Sequence, residues 1–126
     1  MKTAHDLVVQ AKSIVKEIDV HGAQALMKEV DYLIDVREPE EFSAGHIQGA
    51  ILIPRGLLEF KVSSTEELNA RDKKILIYCK TGGRSLLAAK SLVEMGYANI
   101  VSLDGGYDAW LLAGYPVIKA EMPKFD

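Results

Sequence analysis

The sequence predicts an α/β fold, with a central parallel sheet and helices on both faces. Two observations carry this. Residues 32–36, 50–53, 74–78 and 100–103 are short, largely apolar runs rather than strict alternations, as strands covered on both faces must be. Segments of helical periodicity separate them, so helix and strand alternate along the chain. The length of 126 residues suits one compact domain, and 48% apolar residues can fill one core.

The elements follow in order. Ala4, Leu7, Val8, Ala11, Ile14, Val15 and Ile18 fall at helical spacing, and Thr3 with Asp6 makes a capping box. Residues 1–17 are therefore expected to be an amphipathic helical extension, and residues 18–126 a single domain. Residues 23–30 read as a helix and 32–36 as a buried strand. Residues 39–44 suit a short helix with Pro39 in its first turn. Residues 50–53 are a strand stopped by Pro54, and 65–69 a short helix. The strongest strand is 74–78. Residues 85–95 form a helix ended by Gly96, residues 100–103 a further strand, and 107–112 a last helix closed by Gly114 and Pro116. No repeat, low-complexity segment or internal linker interrupts this pattern.

Composition narrows the function. A formal net charge of -3 argues against nucleic acid as a partner, because phosphate binding needs concentrated Lys and Arg. There is one cysteine, so an internal disulfide, a CxxC redox pair and a multi-cysteine zinc site are all ruled out. What remains for that thiol is an inert core role, intermolecular pairing or nucleophilic chemistry. No apolar run approaches the ~18 residues of a membrane span. Asp6, Lys12, Lys16 and Glu17 break up any signal-peptide core, so no membrane contact and a cytoplasmic location are expected.

In open parallel sheets, ligands bind beyond the carboxyl ends of the strands. The segments leaving those ends are 35–38, 54–56, 79–84 and 104–106. The third is the most informative. Cys79 ends the strongest strand, Lys80 and Thr81 follow, Gly82 and Gly83 allow a tight turn, and a helix starts beside Arg84. Successive amides in such a turn can form an anion-binding concavity, and the helix N-terminus adds partial positive charge. A setting of this kind favours a thiolate. Lys80 and Arg84 supply two full charges.

Cys79-Lys80-Thr81-Gly82-Gly83-Arg84-Ser85 resembles the active-site loop of the rhodanese family, C-x-[ST]-G-x-R-[ST]. Two flanking signatures of that family also appear in order. One is Asp35-Val36-Arg37-Glu38 with Glu41-Phe42 and Gly45-His46-Ile47-Gln48-Gly49-Ala50. The other is Gly105-Gly106-Tyr107-Asp108-Ala109-Trp110 with Gly114-Tyr115-Pro116-Val117. Together they span roughly residues 18–117. The resemblance implies a rhodanese-like fold and a sulfurtransferase. Cys79 would accept a sulfane sulfur from thiosulfate or a related small anionic donor and pass it, through a persulfide, to a thiol or cyanide. A carrier that hands the sulfur to a protein partner has the same features. No metal or organic cofactor is implied.

The resemblance also suggests roles for single residues. Lys80, Thr81, Gly82, Gly83 and Arg84 would hold the substrate in the loop. Asp35 and Arg37 would form a supporting ion pair, and His46 a loop hydrogen bond. Trp110 would pack the last helix while lining the pocket wall, and Gly105 with Gly106 would make a tight turn near the site. Arg55 follows the strand ended by Pro54 and is expected on the ligand rim, steering an anionic donor. Phosphatases of similar fold use a C-x5-R loop. The C-x4-R spacing here makes a smaller mouth, which disfavours a phosphate ester, and a purely regulatory binding module would usually lack the cysteine.

Overall fold

The computed structural model describes residues 1–119. Five strands build its main sheet: β1 (Lys16–Ile18), β2 (Tyr32–Asp35), β4 (Ile51–Leu52), β5 (Lys74–Tyr78) and β6 (Asn99–Leu103). Their order is β1-β6-β5-β2-β4 and every neighbouring pair is parallel. The runs 32–36, 74–78 and 100–103 thus lie where the sequence demands, in the covered centre, whereas the run 50–53, expected to be covered too, forms the edge strand β4, where Ile51 is 40% exposed. Register places Asp35 opposite Tyr78 and Ile77 opposite Ser102. The carboxyl ends of β2, β5 and β6 therefore share one edge, and residues 35–38, 79–84 and 104–106 leave from it together.

Side-chain alternation along β5 divides the core. Ile75, Ile77 and the following Cys79 face one layer, with Ala11 of α1 (Ala4–Lys12), Leu58 and Val62 of α4 (Leu58–Ser64), Leu68 of α5 (Glu66–Asn69) and Leu86, Ala89 and Leu92 of α6 (Gly83–Glu94). Leu76 and Tyr78 face the other, with Val20 and Ala23 of α2 (Val20–Leu26) and Trp110 of α7 (Gly106–Leu112). Below the sheet edge, α3 (Pro39–Ala44) leads into β3 (His46–Ile47), which pairs antiparallel with β7 (Val117–Ile118).

The first helix is shorter than its periodicity predicts. The capping box is formed as expected, with Thr3 Oγ1 accepting from the Asp6 amide at 3.1 Å and Asp6 accepting from the Thr3 amide at 2.9 Å. The helix stops at Lys12, however, and residues 16–18 become the edge strand β1, in register with Val101, Ser102 and Leu103. The β-branched residues Val15 and Ile18 suit a strand as well as a helix face, and the open edge of β6 supplies the hydrogen bonds that decide between them. The expected junction after residue 17 thus falls inside a strand of the sheet. Residues 120–126 of the expected domain lie outside the described residues.

Other boundaries move for local reasons. The second helix begins at Val20, earlier than the apolar pattern indicates, because Asp19 caps it by accepting from the Gly22 amide at 2.8 Å. A 3-10 turn (Arg55–Leu57) and α4 occupy a stretch where no helix was expected. Leu58 and Val62, four residues apart and fully buried, carry its apolar face. The β3 and β7 strands are only two residues each, too short for any periodicity to show.

Ile77 is fully buried in the central strand. Ile77→Ala should lower stability by about 2–5 kcal/mol, through lost burial and the cavity left behind. Equilibrium urea denaturation reads the change as a lower midpoint with unchanged slope.

Candidate active site

Cys79 is the first residue beyond β5, and its side chain is 1% exposed. Three residues later Gly82 takes a φ of +119°, a conformation that a Cβ opposes, and becomes the N-cap of α6. This reversal brings two backbone N–H groups onto the sulfur. Gly82 donates to Sγ at 3.1 Å and Ser85 at 3.3 Å. The thiol in turn lies 3.5 Å from Ser85 Oγ. The cradle expected from the sequence is therefore built from the amides of Gly82 and Ser85. Gly83 opens the helix, and Thr81 is exposed at the tip of the loop.

The loop is gripped from behind by the start of α7. The Tyr107 amide donates to the Cys79 carbonyl at 2.8 Å, and the Asp108 amide to the Lys80 carbonyl at 3.1 Å. So close an approach requires the paired glycines. Gly106 has φ +60°, and a Cβ there would meet the Cys79 and Lys80 carbonyl oxygens at 2.5 and 2.6 Å. The tight turn expected at Gly105 and Gly106 thus also locks the active loop to β6.

Arg37, Lys80 and Arg84 each have a carboxylate partner. Arg37 and Asp35 form a buried bidentate pair, with contacts of 2.8–3.1 Å, and Arg37 also donates to the Gly45 carbonyl at 2.6 Å. Its guanidinium lies 4.4 Å from the Tyr107 ring centroid. The pair thereby ties the end of β2 to α3 and α7, a supporting position. Burial, and then the Asp35 carboxylate, push the neighbouring Tyr78 phenol far up, so it stays neutral and accepts from the Ile47 amide at 3.0 Å. Lys80 reaches Asp108 at 3.1 Å. Arg84 forks onto Glu41 at 2.7 and 3.0 Å, and this hydrogen bonding holds the Glu41 carboxyl down at about 2.

Two expected residues sit differently. Arg55 leaves the correct edge, since its amide donates to the Val36 carbonyl at 3.1 Å. Its guanidinium, though, is held by both Glu59 oxygens at 2.9 Å, and Glu59 is anchored by Ser91 of α6. The i, i+4 spacing of Arg55 and Glu59 across the 3-10 turn and α4 explains this capture. Trp110 is 3% exposed in the layer opposite Cys79, donating to the Pro116 carbonyl at 2.9 Å. It packs α7 and the C-terminal turn, and the sheet separates it from the sulfur. His46 has the expected loop role, with Nδ1 3.0 Å from the Phe42 carbonyl oxygen.

A cleft of about 330 Å³ opens beside the loop, lined among others by Arg37, Glu41, Gly45, Lys80, Tyr107 and Asp108. A larger one of about 510 Å³ lies at the amino-terminal edge of the sheet, near Lys16, Lys74 and Asn99, the wrong end for this chemistry. Sequence reasoning missed Ser102. It is fully buried on β6 and donates to Ser85 Oγ at 2.9 Å. Its signal was a lone hydroxyl inside the apolar run 100–103.

A parallel α/β sheet with a cysteine cradled between strand end and helix start defines a class, and comparison with known proteins names it. The family model for the rhodanese-like domain matches residues 19–113, and the chain belongs to that family. It is 31% identical over 110 residues to a sulfurtransferase of Allochromatium vinosum, covering 86% of this chain and 99% of that one. It is 34% identical over 102 residues to thiosulfate sulfurtransferase GlpE of Vibrio cholerae, covering 79% and 92%. Among solved structures, a Rhodopseudomonas palustris protein of unknown function, described as a possible tyrosine phosphatase, superposes with a TM-score of 0.87 at 31% identity, covering 94% and 96%. A rhodanese-related protein of Thermoplasma volcanium gives 0.72 at 36% identity, covering 82% and 97%.

Gly106→Ala should cost about 1–3 kcal/mol from the positive φ alone. By displacing the Cys79 carbonyl it should also reduce Cys79 reactivity, on the order of 100-fold. Thermal unfolding and the rate of thiol alkylation measure the two effects.

The Glu41–Arg84 clamp should be acid-sensitive. Hydrogen bonding to Arg84 holds the folded Glu41 carboxyl at about 2, below the ordinary glutamate value of 4.5. Its contribution is therefore complete above about 4.5 and is lost as pH falls toward about 2. Glu41→Gln should remove that part of the acid transition while leaving the neutral-pH fold intact, as followed by near-UV circular dichroism.

Proposed function

We propose that this protein is a sulfurtransferase that carries a sulfane sulfur as a persulfide on Cys79, taking it from thiosulfate and passing it to a thiol or cyanide. The observation that carries this is the pair of amides, Gly82 and Ser85, aimed at the Cys79 sulfur from a turn held by α7. Similarity to sulfurtransferases over most of the chain supports it.

The reaction runs in two displacements. The Cys79 thiolate attacks the outer sulfur of thiosulfate. A new S–S bond forms, the old one breaks, and sulfite leaves with the electron pair. A nucleophilic acceptor then attacks the outer sulfur of the persulfide, and the Cys79 thiolate leaves with its electrons. Both steps keep negative charge on sulfur within reach of the loop amides, the kind of fixed dipoles that need no rearrangement during reaction. An ionised thiol needs no separate base. Lys80 and Arg84 remain partly exposed in their ion pairs, so an incoming dianion can share them with Asp108 and Glu41.

Similarity to the possible tyrosine phosphatase supports a second reading, hydrolysis of a phosphate ester at the same cysteine. The six-residue loop from Cys79 to Arg84 weighs against it. Its amide donors converge on the sulfur itself, and its arginine is engaged by Glu41.

Intact mass after thiosulfate treatment should show the gain of one sulfur atom, reversed by reductant and absent in Cys79→Ser. Substantial thiosulfate:cyanide activity in the Ser variant, or Cys79-dependent release of phenol from an aryl phosphate in place of sulfur transfer, would overturn the assignment.

A further inference from the structure

Ser85 and Ser102 are both fully buried and stand in line behind the sulfur. Ser85 Oγ donates to the Gly82 carbonyl at 3.0 Å, accepts from Ser102 Oγ at 2.9 Å, and lies 3.5 Å from Cys79 Sγ. With a protonated thiol this arrangement is saturated: the Ser85 oxygen accepts from both Ser102 and the S–H, and its own hydrogen goes to Gly82. Loss of the thiol proton breaks the pattern. The Ser85 lone pairs would then face an anionic sulfur, unless its hydrogen turns from the Gly82 carbonyl to Sγ.

The fold makes that turn inexpensive. The Gly82 carbonyl also accepts the Leu86 amide at 3.0 Å, in the first turn of α6, so it keeps a partner after Ser85 leaves. Ser102 goes on donating to Ser85 in either state. A hydroxyl that accepts a hydrogen bond becomes a better donor, because chains of hydrogen bonds polarise one another.

We propose that Ser102 is a positioning residue that acts through Ser85: it holds and polarises the Ser85 hydroxyl so that this group can serve as a third donor to the anionic sulfur of Cys79. The proposal rests on the sulfur chemistry assigned above to Cys79, as thiolate and as persulfide, but is tested without it. Charged groups on the surrounding elements are unaltered by the test. They are Arg84 with its partner Glu41, Lys80 with Asp108, and the Asp35–Arg37 pair.

The experiment is the pH profile of Cys79 alkylation by iodoacetamide, in five proteins of confirmed near-UV spectrum: parent, Ser102→Ala, Ser85→Ala, the double variant and Ser102→Thr. Ser102→Ala should move the half-maximal pH upward by about half a unit. Ser85→Ala should move it at least as far, and adding Ser102→Ala to it should move it no further, because the intermediary is gone. Ser102→Thr, which keeps the hydroxyl on a strand position, should restore the parent profile. An unchanged or lowered midpoint in Ser102→Ala, or additive shifts in the double variant, would overturn the proposal. Alkylation reads the thiol alone, so the expected set of midpoints without sulfur transfer would refute the assigned function and leave the Ser102 role standing.

Discussion

A sulfur atom at the end of a buried strand can be reached by backbone amides only if the chain reverses at once, and here it does so at Gly82. The φ of +119° at that residue starts α6 within four residues of Cys79 and turns the Gly82 and Ser85 N–H groups back toward Sγ. Nearly everything else near the site can be understood as support for this turn. Its outer carbonyls, on Cys79 and Lys80, would be left open by so tight a bend. The first amides of α7 close them. Those amides get near enough only because residue 106 has no side chain.

The same turn shapes the electrostatics. Neutral amides, with a helix start behind them, face the sulfur directly, while the full charges stand further out and are paired. A free guanidinium beside the thiolate would attract any anion. An Arg84 forked onto Glu41 instead fixes α6 to α3 and leaves its charge partly available at the mouth. The Asp35–Arg37 pair does for β2 what Gly106 does for β6. Buried and bidentate, it joins a strand end to the neighbouring loop through the Gly45 carbonyl. Removing either partner alone would strand a buried charge, which is more costly than losing the pair's own attraction.

Much of this was legible in the linear sequence. Alternation of apolar runs with helical periodicity indicates a parallel sheet, because only strands covered on both faces lack polar positions, and the order of elements then places the Cys79 loop at the carboxyl edge. The cysteine, its glycines and the following helix lie within seven consecutive residues, so local spacing alone exposes them. The Thr3–Asp6 capping box was legible for the same reason, since both partners lie in one turn.

What the linear order could not decide were contacts between distant segments. Residues 16–18 fit a helix by spacing, and the unpaired edge of β6, more than eighty residues away, makes them a strand. Arg55 was placed on the right edge by its strand, but a glutamate on a helix that periodicity did not reveal took its charge. Trp110 lies near the site in sequence pattern, yet the sheet puts it on the opposite layer. Ser102 looked like an ordinary strand residue until the β5–β6 register set it opposite Ile77 and behind Ser85. The chemistry of the loop is local and was written in consecutive residues. Which charges are free, and which hydroxyls stand behind the sulfur, depends on packing between elements, and only the tertiary structure decides it.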